Sequence, residues 1–336
     1  MLNQPKWNRK MDNFSKITVV LHGPVRSSAQ RQMELGITEK AIATIREFLP
    51  GSHIILSTWR DQIVDKLDVD EIILSEDPGC NIIAFDANGY PFTENSNRQI
   101  VGIREGLKRV KTEYAVKLRT DNYLTGNGFI AQQQDFPVRE PNFSFLKERV
   151  VVAHRYTKMM TDGYKISRHI CDFFAYGRTQ DLINMWDIEL FEDYKLNPNL
   201  LGRPQYLGAP QRITSTEQKF TTRWISKFRP EISPMRTHFD MTDHDIWMKI
   251  LLNNLIVQDA KNLGLGSIKR LDTLKYRVNE MSHIEWQWHY KKYCDKNYPA
   301  SLIAVITKTF FFRWAKAPIS RLKKRFSRKQ HPLGQT

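Results

Sequence analysis

The sequence predicts an α/β fold: a Rossmann-type, mostly parallel sheet flanked by helices, with a helical extension at the C-terminus. Three observations predict it. Apolar runs of strand length near the N-terminus alternate with helical patterns, as parallel sheets with right-handed crossovers require. These runs stop in Gly, Pro or hydroxyl residues, the composition of loops over a ligand cleft. Finally, Tyr114-Ala115-Val116-Lys117-Leu118-Arg119 alternates apolar and other residues before the polar turn Thr120-Asp121-Asn122. That pattern sets a carboxylate just past a strand's carboxyl end with two cations beside it. A carboxylate there suits a divalent cation and the diphosphate it carries, and equally an exposed strand end with a solvated charge cluster.

The elements follow in order. A polar leader, residues 1–16, has no apolar core, so we expect no signal peptide. Ile17–Leu21 is a buried-type strand ending in His22-Gly23-Pro24, where Gly23 lets the backbone approach a ligand and His22 is a ligand or a packed loop histidine. Gln32–Leu49 carries Leu35, Ile37, Ala41, Ile42, Ile45 and Leu49 at helical spacing, and Pro50-Gly51 stops it. Ser52–Trp59 is a second strand running into Ser57 and Thr58. Asp61–Leu67 reads as a short helix and Glu71–Ser75 as a third strand, which closes a βαβαβ unit. Asn95 or Ser96 caps a helix over Ile100–Val110, and Asn97 and Arg98 at its start suit an anion or base edge, or an ordinary cap with a solvated Arg.

In the second half, Glu148–Ala153 and Ile166–Tyr176 read as strands, and Thr179 caps a helix through Trp186. Asp172 lies among Ile170, Cys171, Phe173 and Phe174, where an unpaired carboxylate is costly. It is either a general base or an acid paired with Arg168. Asn197–Arg212 is a Pro- and Gly-bearing loop of lid length, and Gln218–Lys227 is helical. Asp240-Met241-Thr242-Asp243-His244-Asp245 either completes a metal site or caps a helix over Ile246–Ile256. His283–Tyr293 is an aromatic, basic helix of packing type. Leu302–Ala315 is apolar but carries Lys308 and Arg313, Pro318 breaks it, and Arg321–Lys329 is polybasic. At about 14 residues the apolar stretch is too short to span a bilayer. It reads as an interfacial segment burying Phe310, Phe311, Phe312 and Trp314, or as a helix packed on the core with a solvated basic end.

Composition excludes several classes. The chain has 336 residues, 41% of them hydrophobic, enough for a large core. Cys80, Cys171 and Cys294 are too few and too scattered for a zinc site or disulfide framework, which points to a reducing, cytoplasmic setting. The net charge is +15, but nine of the surplus cations lie in Ser301–Thr336, which holds no acid. The charge therefore belongs mainly to a tail, and a nucleic-acid partner is disfavoured. A P-loop is absent, which argues against an NTPase.

Taken together, Val19–Pro24, Ser57-Thr58-Trp59, Asp77-Pro78-Gly79, Asn97-Arg98-Gln99, Lys117–Asp121 and Asp172–Gly177 resemble the WavE lipopolysaccharide synthesis family of bacteria. The likeness covers roughly residues 15–250. It implies a GT-A-like glycosyltransferase domain, bounded here at residues 17–260; the residues themselves suggest a helical extension over 261–300 and a membrane-associating tail over 301–336. In that fold an Asp-x-Asp motif holds Mg²⁺ or Mn²⁺ against the donor diphosphate. Here the triplet is Arg119-Thr120-Asp121, so either Asp121 alone anchors the metal or Arg119 supplies part of the charge. The resemblance implies a nucleotide-diphosphate sugar as donor and a lipid-linked oligosaccharide or lipopolysaccharide as acceptor. Residues 301–329 would meet the anionic inner-membrane surface from the cytoplasmic face. His22, Gly23, Ser57, Thr58, Asn97, Arg98, Lys117, Arg119 and Asp121 would line the donor site. Asp172, with Asp243 behind it, would serve as base. The alternatives are a membrane-docked scaffold of the polysaccharide machinery and a basic nucleic-acid-binding protein.

Overall fold

Ile17–His22 (β1) is apolar or β-branched at nearly every position and buried at all of them, which fits a strand flanked on both sides. This computed structural model describes residues 13–27, 32–206, 213–267 and 277–327. The polar leader up to residue 12, part of the expected lid at 207–212 and the polybasic end from 328 lie outside them. The first helix, α1 (Ile37–Phe48), starts later than the periodicity suggests, because Gly36 turns left-handed (φ 71°) ahead of it. β2 (His53–Trp59) and β3 (Glu71–Ser75) match their predicted positions. Between them the expected helix at 61–67 is absent. Lys66 is left-handed (φ 67°), and the Gln62 side chain is spent accepting from the Val25 amide at 2.8 Å. The crossover is a series of turns.

A hairpin not foreseen in the sequence follows, β4 (Asn81–Phe85) with β5 (Pro91–Glu94), and it leads into α2 (Ser96–Arg109). β6 (Tyr114–Arg119) pairs parallel to β1, and β7 (Val150–Ala153) comes next. The two-residue strands β8 (Met160–Thr161) and β9 (Tyr164–Lys165) form a small hairpin. The strand expected over 166–176 is confined to β10 (Phe174–Arg178), since Arg168 is left-handed (φ 57°) and interrupts extension before it. Helix α3 (Thr179–Trp186) follows, then β11 (Gln205–Tyr206), which adds to the β4–β5 hairpin. Helix α4 (Thr216–Ser226) begins with a capping box between Ser215 and Gln218.

Helix α5 (His244–Asn254) ends before Leu255 and Ile256, which enter β12 (Leu255–Gln258) instead of extending the helix. The Asn254 side chain holds that junction, donating to the Phe143 carbonyl (2.6 Å) and accepting from the Phe145 amide (2.7 Å). After α6 (Ala260–Leu263), helix α7 (His283–Tyr293) packs as its aromatic content predicts, with Trp286 4.6 Å from the Phe136 ring. A short α8 (Leu302–Val305) passes through one π-helical turn into α9 (Phe311–Ser327). Pro318 does not break α9. It lies on the exposed side, where water can take the carbonyl it leaves unbonded, and Arg313 and Arg321 hold the helix on either side of it.

The central sheet has seven strands in the order β12-β7-β10-β6-β1-β2-β3, flanked by helices. Only β10 runs against the rest.

Candidate functional site

This topology determines which residues meet. The carboxyl ends of β1, β2, β6, β7 and β12 share one sheet edge, and the reversed β10 begins there. Asp172, two residues before β10, therefore lies at the same edge as Arg119 at the end of β6. Residues two apart on an extended strand share a face, and Lys117 and Arg119 do so here. Lys117 is fully buried; its ammonium donates to the Asp172 carbonyl and sits 4.2 Å from the Trp186 ring centroid. Burial lowers its pKa to about 8, against the partly compensating Asp172 carboxylate.

The Arg119 guanidinium forms a two-point pair with Asp121, Nε to Oδ1 at 3.0 Å and Nη2 to Oδ2 at 2.7 Å. Burial would lower its proton affinity, but the Asp121 and Asp172 carboxylates outweigh that and raise it. Asn122 also donates to Asp121 Oδ1 at 3.2 Å. Thr120 ties the two leading loops together, donating its amide to the His22 carbonyl (3.1 Å) and its hydroxyl to the Pro24 carbonyl (2.6 Å). Gly23 beside it has φ 118°, where an L-residue is strained, and an added Cβ would lie 3.2 Å from Thr120 Oγ1. The structure thus brings Gly23, Lys117, Arg119, Asp121 and Asp172 together.

Other predicted residues have structural duties. His22, Ser57 and Thr58 are buried. A Cβ at Gly102 would contact His22 at 3.6 Å, and one at Gly106 would contact Ser57 at 3.3 Å, so α2 covers both. Asn97 clasps a peptide unit: it donates to the Phe191 carbonyl (2.9 Å) and accepts from the Phe191 amide (2.8 Å). Arg98 is held by Asp77, with Nε to Oδ1 at 2.7 Å, and donates to Asn95 Oδ1 at 2.9 Å. Asp243 is a left-handed N-cap residue 3.4 Å from Arg168; no contact joins it to the Lys117–Arg119 cluster among the described residues.

The edge also holds residues that sequence reasoning passed over. Tyr156 adopts φ 66°, a strained conformation for a bulky side chain, and lies near enough to Arg119 to raise its pKa. His169 sits with Nδ1 2.8 Å from the Tyr156 carbonyl and Nε2 3.6 Å from Glu217. Glu217 and Asp172 line one crevice, of about 10 Å³, with Cys171, Trp186 and Trp224. Only the strain at Tyr156 marks it, and a conformational outlier on tyrosine leaves no trace in sequence.

The residues present do not fit a divalent metal. The one carboxylate at the strand end has both oxygens occupied by a guanidinium, and no second acid stands beside it in the triplet. Among the described residues no three His, Cys, Asp or Glu side chains gather. The Asp240–Asp245 run is likewise engaged internally: Asp240 accepts from the Thr242 amide (2.9 Å) and His244 meets Ser167 Oγ at 3.2 Å. Two open cavities, of about 420 and 730 Å³, lie along α9, and the first of them reaches Tyr156. We place the site at the edge, where buried charge converges, because an open groove on a surface helix is not evidence of chemistry.

No curated protein matches the chain. Among solved structures, the 4-diphosphocytidyl-2C-methyl-D-erythritol synthase of Anaerococcus prevotii DSM 20548 is 14% identical, and the match covers 55% of this chain and 78% of that one. Its TM-score is 0.29, too low to support an argument. The profile described as WavE lipopolysaccharide synthesis matches residues 17–324, and the chain belongs to that family.

Proposed function

We propose that the protein is a glycosyltransferase that moves a sugar from a nucleotide-diphosphate donor to a membrane-linked glycan in lipopolysaccharide or capsule synthesis. The observation that supports it best is the cation pair of buried Lys117 and partly buried Arg119 at the carboxyl edge beside Asp121 and Asp172. In the reaction the acceptor hydroxyl oxygen bonds to the anomeric carbon and the bond from that carbon to the diphosphate oxygen breaks. The departing charge needs a fixed positive field. Arg119 supplies it at the edge, with Asp121 fixing its plane, and Lys117 reinforces it from below without touching the donor. Asp172 takes the acceptor's proton if the configuration inverts, and only positions the acceptor if it is retained. Residues 301–329 set the protein on the cytoplasmic face of the inner membrane, where the acceptor resides.

Titration calorimetry with UDP, CMP and GDP, each with and without Mn²⁺, tests this on wild type, Arg119→Met and Asp121→Asn. We expect one nucleotide to bind without metal and to be lost in Arg119→Met. Binding that needs Mn²⁺, survives Arg119→Met and disappears in Asp121→Asn would return the metal to Asp121. Failure of all three nucleotides would leave the scaffold reading in place.

A further inference from the structure

Helix α9 is neither a loose tail nor a buried core helix. One side is clamped to the body. Arg313, 8% exposed, pairs with Glu285 (Nη2 to Oε2 2.7 Å) and donates to the carbonyls of Val278 (2.6 Å) and Glu280 (2.9 Å). Two turns on, Arg321 donates to the Gly163 carbonyl at 2.9 Å and lies 4.7 Å from the Tyr164 ring. Gly163 itself presses on the helix so closely that a Cβ there would lie 2.4 Å from the Ala317 carbonyl oxygen. Helix α9 cannot roll over to hide its other side.

That other side is apolar and in solvent: Phe311 is 56% exposed, Trp314 75%, Ile319 56% and Leu322 55%. Their spacing of i, i+3, i+8 and i+11 puts them on one face, opposite Arg313. Phe310, expected to join them, instead packs on Trp288 with ring centroids 5.8 Å apart. Exposed Lys308, Lys316 and Lys323 flank the stripe, and residues 301–336 contain no Asp or Glu.

We propose that α9 docks the protein on an anionic phospholipid surface in one fixed orientation, inserting Phe311, Trp314, Ile319 and Leu322. The inference rests on the transferase reading for its purpose, since a lipid-linked acceptor must be met at the bilayer. Charge complementarity selects the occupant. A second copy in a symmetric contact would set lysines against lysines, whereas anionic headgroups neutralise them. The stripe is interfacial in depth, and no helix among the described residues is long and apolar enough to cross a membrane. Because a buried ion pair, Arg313 with Glu285, and the Arg321 contacts hold α9 at two points, the membrane plane is held at a set angle to the sheet edge.

The test is co-sedimentation of the full chain with phosphatidylcholine vesicles, with and without phosphatidylglycerol. We expect binding only with phosphatidylglycerol, weakened at least about tenfold in Phe311→Ser/Trp314→Ser and in Lys316→Glu/Lys323→Glu. These side chains are exposed, so the variants should fold as wild type does, which circular dichroism checks. Tryptophan emission should shift blue on vesicles in wild type and shift less in Trp314→Phe. Equal binding to neutral vesicles, or indifference to both double variants, would overturn the proposal. So would a dimer in the ultracentrifuge that Phe311→Ser/Trp314→Ser dissociates while vesicles are ignored. Nucleotide binding measured on the same samples separates the two readings: vesicle binding without nucleotide binding upholds the docking and sinks the transferase, and the reverse sinks the docking alone.

Discussion

Lys117 and Arg119 carry the residue-scale argument. The folded protein holds Lys117 at a pKa of about 8 against 10.5 for the free side chain. Between those values the unfolded chain keeps a proton that the folded one has released, so this group's contribution to stability rises as pH climbs from about 8 to about 10.5. Below that window the burial cost stands in full, at about 3 kcal/mol. Lys117→Met should therefore be more stable than wild type near pH 7, and the advantage should shrink on the alkaline side. Urea melts of both proteins at about pH 7 and about pH 9.5 check this; a constant difference across that range would refute the buried charge. Asp121 behaves oppositely. It is 3% exposed, and Asp121→Asn strips the guanidinium of its counter-ion, which should cost about 3–5 kcal/mol. Arg119→Met/Asp121→Leu should recover part of that loss, a coupling that a double-mutant cycle measures. The pair forms across the turn that ends β6, where Asn122 donates its amide to the Arg119 carbonyl at 3.0 Å, and strand periodicity does not announce it. The sequence sets Arg119 close to Asp121, and the structure pairs the two directly.

At the scale of elements, the parallel strands were legible because burial on both faces writes itself as continuous Val, Ile and Leu. The turns at 61–67 were not, since apolar Ile63, Val64 and Leu67 mimic helical spacing while Lys66 takes a left-handed conformation no local pattern announces. The β4–β5 hairpin and the reversal of β10 were also hidden, because they depend on which strands pair at long range. Yet that reversal is what carries Asp172 to the edge. Helix α2 hides its constraint in two glycines. A Cβ at Gly106 would stand 2.3 Å from Val20 Cγ1, whereas one at Gly102 meets nothing nearer than 3.6 Å. Gly106→Ala should thus destabilise by about 1–3 kcal/mol through overpacking against β1. Gly102→Ala should be neutral, or stabilising by about 0.5–1 kcal/mol through helix propensity. Chemical denaturation of the two variants decides it: equal effects would mean α2 does not rest on Gly106.

At the scale of the molecule, the Glu285–Arg313 pair joins the C-terminal helix to the body. Glu285 is 1% exposed; burial alone would raise its carboxyl, but His289 and Arg313 outweigh that and bring it below the usual range. A carboxylate depressed in the folded state contributes stability above its unfolded value of 4.5 and loses it as pH falls through the folded one. The junction should therefore hold at neutral pH and open in acid. Glu285→Gln removes the charge at every pH and leaves the Arg313 guanidinium buried without a counter-ion, at a cost of about 3–5 kcal/mol. Helix α9 should be the first element to feel it, since beyond Arg313 it rests on Gly163 and Tyr164 through Ala317 and Arg321. Limited trypsin digestion at neutral pH should then cut at Lys308, Lys316 or Arg321 several-fold faster in the variant than in wild type, with the rest of the chain intact. Cleavage at an unchanged rate would mean that other packing holds α9, and the set angle between membrane and sheet edge would lose its physical cause.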